Sequence, residues 1–330
     1  MNLKFSIIIP VYNRPDELDE LLSSIVSQHF KEDLEVVVVE DGSNLTAKHI
    51  IDGFKDKLNI HYLKKDNSGP GLSRNFGMQH ACGNYFIILD SDCILPKNYL
   101  KEVSQTLLKN FTDAFGGSDA SHDLFTSIQK AINYAMTSVL TTGGLRGNKN
   151  LKKFQPRSFN MGLSKKAFEK TGGFSPLRYG EDIDLTFRLW VNGFETQFIE
   201  NAYVYHKRRV SWSSFFKQTF NFGAARPILN KLHPNTAKIT YWFPSVFVVV
   251  FLLSAVGSLF HFNWLIYCIS IYFLLIFFDS LIKNKNIIVA FLSICATLVM
   301  FFGYGLGFLR STIRLLVGKS PKEAFPKMFS

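Results

Sequence analysis

The chain has 330 residues and a net charge of +11, and 47% of it is apolar and 15% aromatic, with 33 Phe. It is longer than one ordinary domain and more apolar than a wholly soluble protein. Its four cysteines, Cys82, Cys93, Cys268 and Cys295, form no CxxC pair, which argues against a zinc site or a disulfide framework.

The chain opens on a short Ile run ended by Pro10, which reads as a strand over Phe5–Val11. The run is too short and wrongly flanked for a secretory signal, so the polar part of the chain is expected to stay in the cytosol. Residues 15–28 follow as a helix, with Pro15 early and Leu18, Leu21, Leu22, Ile25 and Val26 on one face. The unbroken Val run in 34–39 predicts a parallel strand buried on both faces. A third strand over 59–63, a helix over 71–81 and a fourth strand over Tyr85–Leu89 complete a βαβ series. The fold class expected is α/β, a mostly parallel sheet flanked by helices. Ligands of such sheets bind beyond the carboxyl ends of the strands, so the polar clusters after strands one, two and four should share one edge. No GxGxxG follows the first strand, which argues against NAD.

From Ile239 onward the composition shifts to Phe, Leu, Ile and Val. Three stretches, about 243–260, 262–282 and 287–309, each approach the ~20 residues that cross a bilayer as a helix. The expected division is a catalytic domain over 1–230 and a membrane domain over 231–330. From Lys283 to the end there are seven Lys and Arg against one acid, Glu323. That excess beside the apolar stretches fits anionic lipid headgroups better than nucleic acid. Three crossings from a cytosolic first domain would put the basic tail outside, against the positive-inside tendency. Either that rule is overridden, or Gly303, Gly305 and Gly307 break the last stretch into a re-entrant turn.

The fourth strand ends abruptly in Asp90-Ser91-Asp92. Carboxylates two positions apart can hold a hard cation such as Mg²⁺ or Mn²⁺ that shares its coordination with substrate phosphates. The same residues also suit a solvated turn. Asp41 before Gly42 and the acids of Gly180-Glu-Asp182 carry similar alternatives, a turn Asp in one case and complements to a helix dipole in the other. Asp184 is placed to pair with Arg188 at i,i+4.

Taken in order, Ser6-Ile-Ile-Ile-Pro-Val-Tyr-Asn-Arg-Pro15, Glu40-Asp-Gly-Ser43, Gly69-Pro-Gly-Leu-Ser-Arg-Asn-Phe-Gly77, Asp90-Ser-Asp92 and Gly180-Glu-Asp182 resemble the signature of family 2 glycosyltransferases. Glu40 stands where the commoner form has Asp. The resemblance implies a glycosyltransferase A fold, a nucleotide-sugar donor and inversion at the anomeric carbon. It implies Asp92 as direct metal ligand, for Mn²⁺ or Mg²⁺, with Asp90 and Ser91 beside it on the donor side. Asp41 would recognise the base, and Pro10 and Tyr12 would line the nucleotide pocket, although Tyr12 also suits plain packing. Arg74 would reach the diphosphate or base, or be an exposed helix residue. Asp182 is implied as the general base with Glu181 beside it, and His206 as a metal or diphosphate contact, although a surface position for His206 is open. Asn160, Met161 and Gly162 would border donor sugar and acceptor.

Residues 141–148 read as a lid, a phosphate-contacting loop or an inert connection. Residues 212–229 read as an amphipathic helix on the bilayer surface. The chain has Gln218-Thr-Phe-Asn-Phe222 where processive members carry Gln-x-x-Arg-Trp, which argues for single addition. The leading expectation is a multi-pass enzyme of the cytoplasmic (inner) membrane that moves one sugar to a lipid-linked glycan for cell-surface polysaccharide or glycoconjugate synthesis. Transfer to a polyprenyl phosphate, and a catalytically silent nucleotide-binding membrane protein, are the alternatives. A nucleic-acid partner is not expected.

Overall fold

The structure, a computed structural model, describes residues 2–30, 32–120, 125–143, 154–206 and 211–329. Its first elements are β1 (Phe5–Val11), α1 (Pro15–Val26), β2 (Leu34–Asp41), α2 (Lys48–Asp52), β3 (Asn59–Lys65), α3 (Pro70–His80) and β4 (Tyr85–Leu89). The chain continues through β5 (Cys93–Ile94), α4 (Tyr99–Lys109), β6 (Ala114–Ala120), α5 (Ser127–Thr137), α6 (Val139–Thr142), β7 (Asn160–Ser164) and α7 (Lys165–Thr171). Then come α8 (Glu181–Val191), β8 (Thr196–His206), α9 (Trp212–Leu232), α10 (Phe243–Leu259), α11 (Trp264–Asn284) and α12 (Ile287–Leu316).

Two compact units result, Met1–His122 with Lys149–His206, and Asp123–Asn148 with Lys207–Ser330. The division at 230/231 read from composition does not coincide with these units. Helix α5 is too short and α9 too polar to read as membrane-crossing, yet Ala131, Ile132, Ala135 and Phe215 share an apolar cluster with Val289 and Ala296 of α12.

The first unit is built on an eight-stranded sheet of order β3-β2-β1-β4-β7-β6-β8-β5. The half foreseen from the sequence, β3-β2-β1-β4, is parallel throughout. Beyond it β7 runs antiparallel to β4 and β6, β8 is parallel to β6, and β5 is antiparallel to β8, which makes the whole sheet mixed. Alternation along β1 and β2 explains the two-sided burial. Ile7, Ile9, Val36 and Val38 face a core with Leu18, Leu21 and Leu22 of α1 and Leu100 and Val103 of α4. Ile8, Val37 and Val39 face a second core with Met78 of α3 and Leu185 and Leu189 of α8. Parallel β2-β1-β4 order brings three polar strand ends to one edge, and the short β5–β8 pairing sets Cys93 opposite His206, next to Asp92.

In the second unit, three helices of the described residues are long and apolar enough to cross a membrane: Ile239–Leu259, Trp264–Asn284 and Ile287–Leu316. Gly303, Gly305 and Gly307 do not break α12, which continues through them, so the re-entrant turn is not formed. They are contact points instead. A Cβ on Gly303 would collide with the Thr219 side chain, and one on Gly307 with the Phe220 carbonyl. Gly223 in turn sits on the Tyr304 carbonyl. Small residues on both helices let α9 and α12 approach backbone to backbone. Helix α9 is therefore not a helix with one apolar stripe; Asn221, Gly223, Arg226 and Leu229 are all buried.

Candidate active site

The carboxyl ends of β1, β2 and β4 and the start of α8 carry the acids singled out above. Asp90 and Asp92 leave β4 together but meet different partners. An Asp92 oxygen accepts from Arg14 Nη1 at 2.5 Å, and Oδ1 lies 3.1 Å from His206 Nε2. Burial works to raise the Asp92 carboxyl, but His206 and Arg14 outweigh it and hold the group well below the usual carboxylate range. A solvated turn does not describe this residue, whose side chain is 13% exposed.

Asp90 accepts from Arg74 Nη2 at 2.6 Å, and the other arm of that guanidinium reaches Glu181 Oε1 at 3.1 Å. Arg74 is 2% exposed and stacks over Phe174, so it is not a surface residue. It is an internal bridge from the end of β4 to the start of α8. Burial opposes its charge, and Asp90 and Glu181 more than offset that, raising its pKa. Glu181 behaves oppositely. Burial and then the adjacent Asp182 push its carboxyl up to about 7, with Arg74 pulling the other way. Asp182 stands in the same first turn, its Oδ2 3.5 Å from Arg157 Nη1. Asp184 turns back onto Arg188, as the i,i+4 spacing suggested.

At the end of β2 the two acids are committed to their own loops. Glu40 accepts from Ala47 N at 2.7 Å, from Tyr62 Oη at 3.0 Å and from Ser43 Oγ. Asp41 is 3% exposed; Lys65 Nζ and Ser68 N reach its Oδ1 at 2.8 and 2.9 Å, and Gly69 N its Oδ2 at 2.9 Å. One lone-pair site on Oδ2 is left. Gly42 must be glycine here, since φ is +71° and Asn67 fills the space where a side chain would go.

The residues fit a divalent cation. Asp92, Cys93 and His206 bring one donor atom each to within 4.8 Å of one another. Burial raises the Cys93 thiol far above its ordinary value, and its Sγ donates to Phe159 O, so it is a poor ligand. The carboxylate and imidazole are a hard donor set, and their 3.1 Å separation matches adjacent positions around an octahedral ion with bonds of about 2.1 Å.

Residues 6–172 match the profile described as Glycosyl transferase family 2. The chain belongs to this family. A poly(ribitol-phosphate) beta-N-acetylglucosaminyltransferase, TarS of Staphylococcus aureus (strain Mu50 / ATCC 700699), is 35% identical over 114 residues, which is 34% of this chain and 20% of TarS. The match thus spans about a fifth of that relative's length. A GalNAc(5)-diNAcBac-PP-undecaprenol beta-1,3-glucosyltransferase of Campylobacter jejuni is 26% identical over 231 residues, 68% of this chain and 69% of that protein. Among solved structures, the Pyrobaculum calidifontis mannosyltransferase PcManGT, in complex with GDP-Man and Mn²⁺, aligns with a TM-score of 0.60 at 14% identity over 97% of this chain and 89% of that one. The fold is accordingly of the glycosyltransferase A type.

Within this family 2 fold the acceptor-side assignment needs correction. Asn160, Met161 and Gly162 are not on a surface; they are the middle of the sheet, β7, paired to β4 and β6. Asn160 is fully buried, its Oδ1 accepting from Tyr99 Oη at 2.6 Å and its Nδ2 donating to Ala202 O at 2.8 Å. Met161 is likewise 0% exposed, and Gly162 lies against the Phe115 ring. Tyr12, in contrast, is 50% exposed at the end of β1 beside the half-buried Pro10, so it is not a packing residue. Ser91 is buried in the turn between Asp90 and Asp92. His206 is held by its ring, stacked 4.7 Å from Phe159.

Arg14 and Arg157 were not singled out from the sequence, though both contact the acids. Arg14 stands inside the first quoted motif, which was the available signal; Arg157 had none. The basic run Lys207–Arg209 and most of the 141–148 stretch, from Gly144 on, lie outside the described residues.

Proposed function

We propose that the chain is an inverting glycosyltransferase that moves a single sugar from a nucleotide-diphosphate donor to a hydroxyl of a lipid-linked glycan at the cytosolic face of the inner membrane, in the synthesis of a surface polysaccharide or glycoconjugate. The observation that carries this reading is Arg74. By binding Asp90 and Glu181 at once, it ties the donor end of β4 to the acidic start of α8, so leaving-group chemistry and base chemistry share one edge.

Asp182 is the base of this reading. Unlike Glu181 it is not bonded to Arg74, and it takes the proton of the acceptor hydroxyl as that oxygen attacks from the face opposite the diphosphate. Glu181, held by Arg74 and with its carboxyl pushed up by burial and by Asp182, orients the acceptor. Asp92 and His206 would hold a Mn²⁺ or Mg²⁺ ion, which supplies positive charge to the leaving diphosphate. Arg14 already bonds Asp92 and adds a guanidinium suited to phosphate oxygens. Tyr12 offers its exposed ring to the base, with Pro10 beside it. Asp41 shapes the 67–69 loop and presents its remaining lone pair to the base.

The lipid-linked acceptor is supported by the three apolar helices and by the undecaprenol-linked substrate in the name of the Campylobacter relative. Purified full-length protein screened against nucleotide sugars with Mn²⁺ should be thermally stabilised by one donor class, and that donor should be consumed only when a lipid-linked glycan is supplied. Donor binding without any transfer across a panel of such acceptors would favour a silent nucleotide-binding protein instead.

A further inference from the structure

Arg226 lies on α9 with 7% exposure, and its guanidinium carbon sits 4.3 Å from the centroid of the Tyr241 ring. Its Nη1 is buried without an acceptor among the described residues. Among the described residues no carboxylate pairs with it. The described part of the second unit contains two acids, Asp279 and Glu323. Asp279 is engaged by Lys283, Tyr134 and Ser138, and Glu323 closes a capping box with Ser320. A guanidinium stays charged at any physiological pH and brings five donors. A ring face offsets part of the cost of burying it but accepts few of those N–H groups. The site therefore lacks an anion.

A neighbouring hydroxyl favours the same ligand. Ser311, fully buried on α12, also has an unpartnered hydroxyl. Gly303 abuts Thr219 and Gly307 abuts Phe220 and Ala224, so α9 and α12 run parallel and one more turn puts Ser311 at the level of Arg226. Ser311 can donate its hydroxyl proton, which adds a donor to those of the guanidinium.

The depth is that of a membrane interface. Tyr241 and Trp242 open the candidate span Ile239–Leu259, and Trp242 packs on Phe308 at 4.9 Å. Arg310 lies over Phe220, with Arg314 one turn beyond at the end of α12. Aromatic and basic residues gather at the headgroup level, where the anion available is a lipid phosphate.

We propose that Arg226, with Tyr241 covering one face of its guanidinium and Ser311 at the same level, binds the phosphate of a membrane lipid. The proposal rests on the reading of residues 239–316 as membrane helices, and on neither the donor nor the acceptor of the transfer. The chemistry is shared by a bulk phospholipid and by a lipid-linked acceptor, and the test separates them.

Full-length protein in maltoside micelles is titrated with phosphatidylglycerol, with a polyprenyl diphosphate and, as the phosphate-free control, with diacylglycerol, and thermal unfolding is followed. The wild type should rise by about 2–4 °C with a phosphate lipid and not with diacylglycerol. Arg226→Met should lose that rise while unfolding no lower than wild type in plain micelles, because it removes an uncompensated charge; Arg226→Lys should keep part of the rise. A rise with both phosphate lipids assigns the site to bulk phospholipid, and a rise with the polyprenyl diphosphate alone assigns it to the acceptor. Equal rises in wild type and Arg226→Met, an equal rise with diacylglycerol, or no rise with either phosphate lipid would overturn the proposal. Donor stabilisation measured on the same samples reports on the transferase reading separately: its loss beside an intact lipid response sinks that reading alone.

Discussion

Buried charge is treated in opposite ways in the two units. Along the sheet edge of the first, the site's buried charges meet their opposites within the chain: Arg74 with Asp90 and Glu181, Asp92 with Arg14 and His206, Asp41 with Lys65. In the second unit Arg226 is buried against a ring and, among the described residues, pairs with no acid. The first arrangement is a network already neutralised and oriented before any ligand arrives, so a donor or cation enters by exchanging partners. The second leaves a charge for something outside the chain to complete. Networks of the first kind position groups for chemistry; an open charge of the second kind marks binding.

The largest expected effect falls on the network. Asp182→Asn should lower transfer by a factor of about 10²–10⁴ while donor-induced thermal stabilisation persists. Near-normal turnover in that variant would remove Asp182 from its role. EDTA should abolish transfer by wild type and Mn²⁺ restore it, whereas Asp92→Asn should need far more Mn²⁺ for the same rate. Insensitivity of turnover to chelation would count against the Asp92–His206 pair as a cation site.

Smaller effects test how each unit is held together. Gly307→Leu should destabilise the helical unit by about 1–3 kcal/mol, seen as earlier thermal unfolding, since the Phe220 carbonyl occupies the space of the new side chain. No change would mean that α9 and α12 are not in backbone contact. The weakest signal is pH dependence at Glu181. Its folded-state value, about 7, lies above the ordinary 4.5, so the protonated form stabilises the fold. That contribution is full below about pH 4.5 and is lost as pH rises through 7. Glu181→Gln should flatten the fall in denaturation midpoint between those limits, and an unchanged slope would place the titration elsewhere.

Much of the site was legible because its residues sit at strand ends that periodicity locates. The Ile, Val and Tyr-Phe-Ile-Ile-Leu runs of β1, β2 and β4 read as strands buried on both faces, and the polar residues after each run had to share an edge once the strands were parallel. The second half of the sheet was not legible to the same degree. β6 contains Gly116-Gly-Ser-Asp119 and β7 reads Asn160-Met-Gly-Leu-Ser164, sequences with little preference for extended structure. They are strands because β4 and β8 offer them partners, a decision of tertiary context. For that reason Asn160, Met161 and Gly162 were read as acceptor-side residues when they are core.

By itself the sequence determined the parallel half-sheet, the three apolar helices and the place of Asp92 on the edge where the parallel strands end, because those follow from local pattern and a short list of topological rules; Asp182 was reached through the family resemblance. Only the tertiary structure decided who pairs with whom. It made Arg74 a buried bridge between Asp90 and Glu181, gave Asp92 its partner Arg14 and, through the two-residue strand β5, its partner His206, and turned the glycines of α12 from a break into a packing surface. The reason is physical: a charge or a missing side chain has no preferred partner until the burial of the whole chain sets the distances over which it acts.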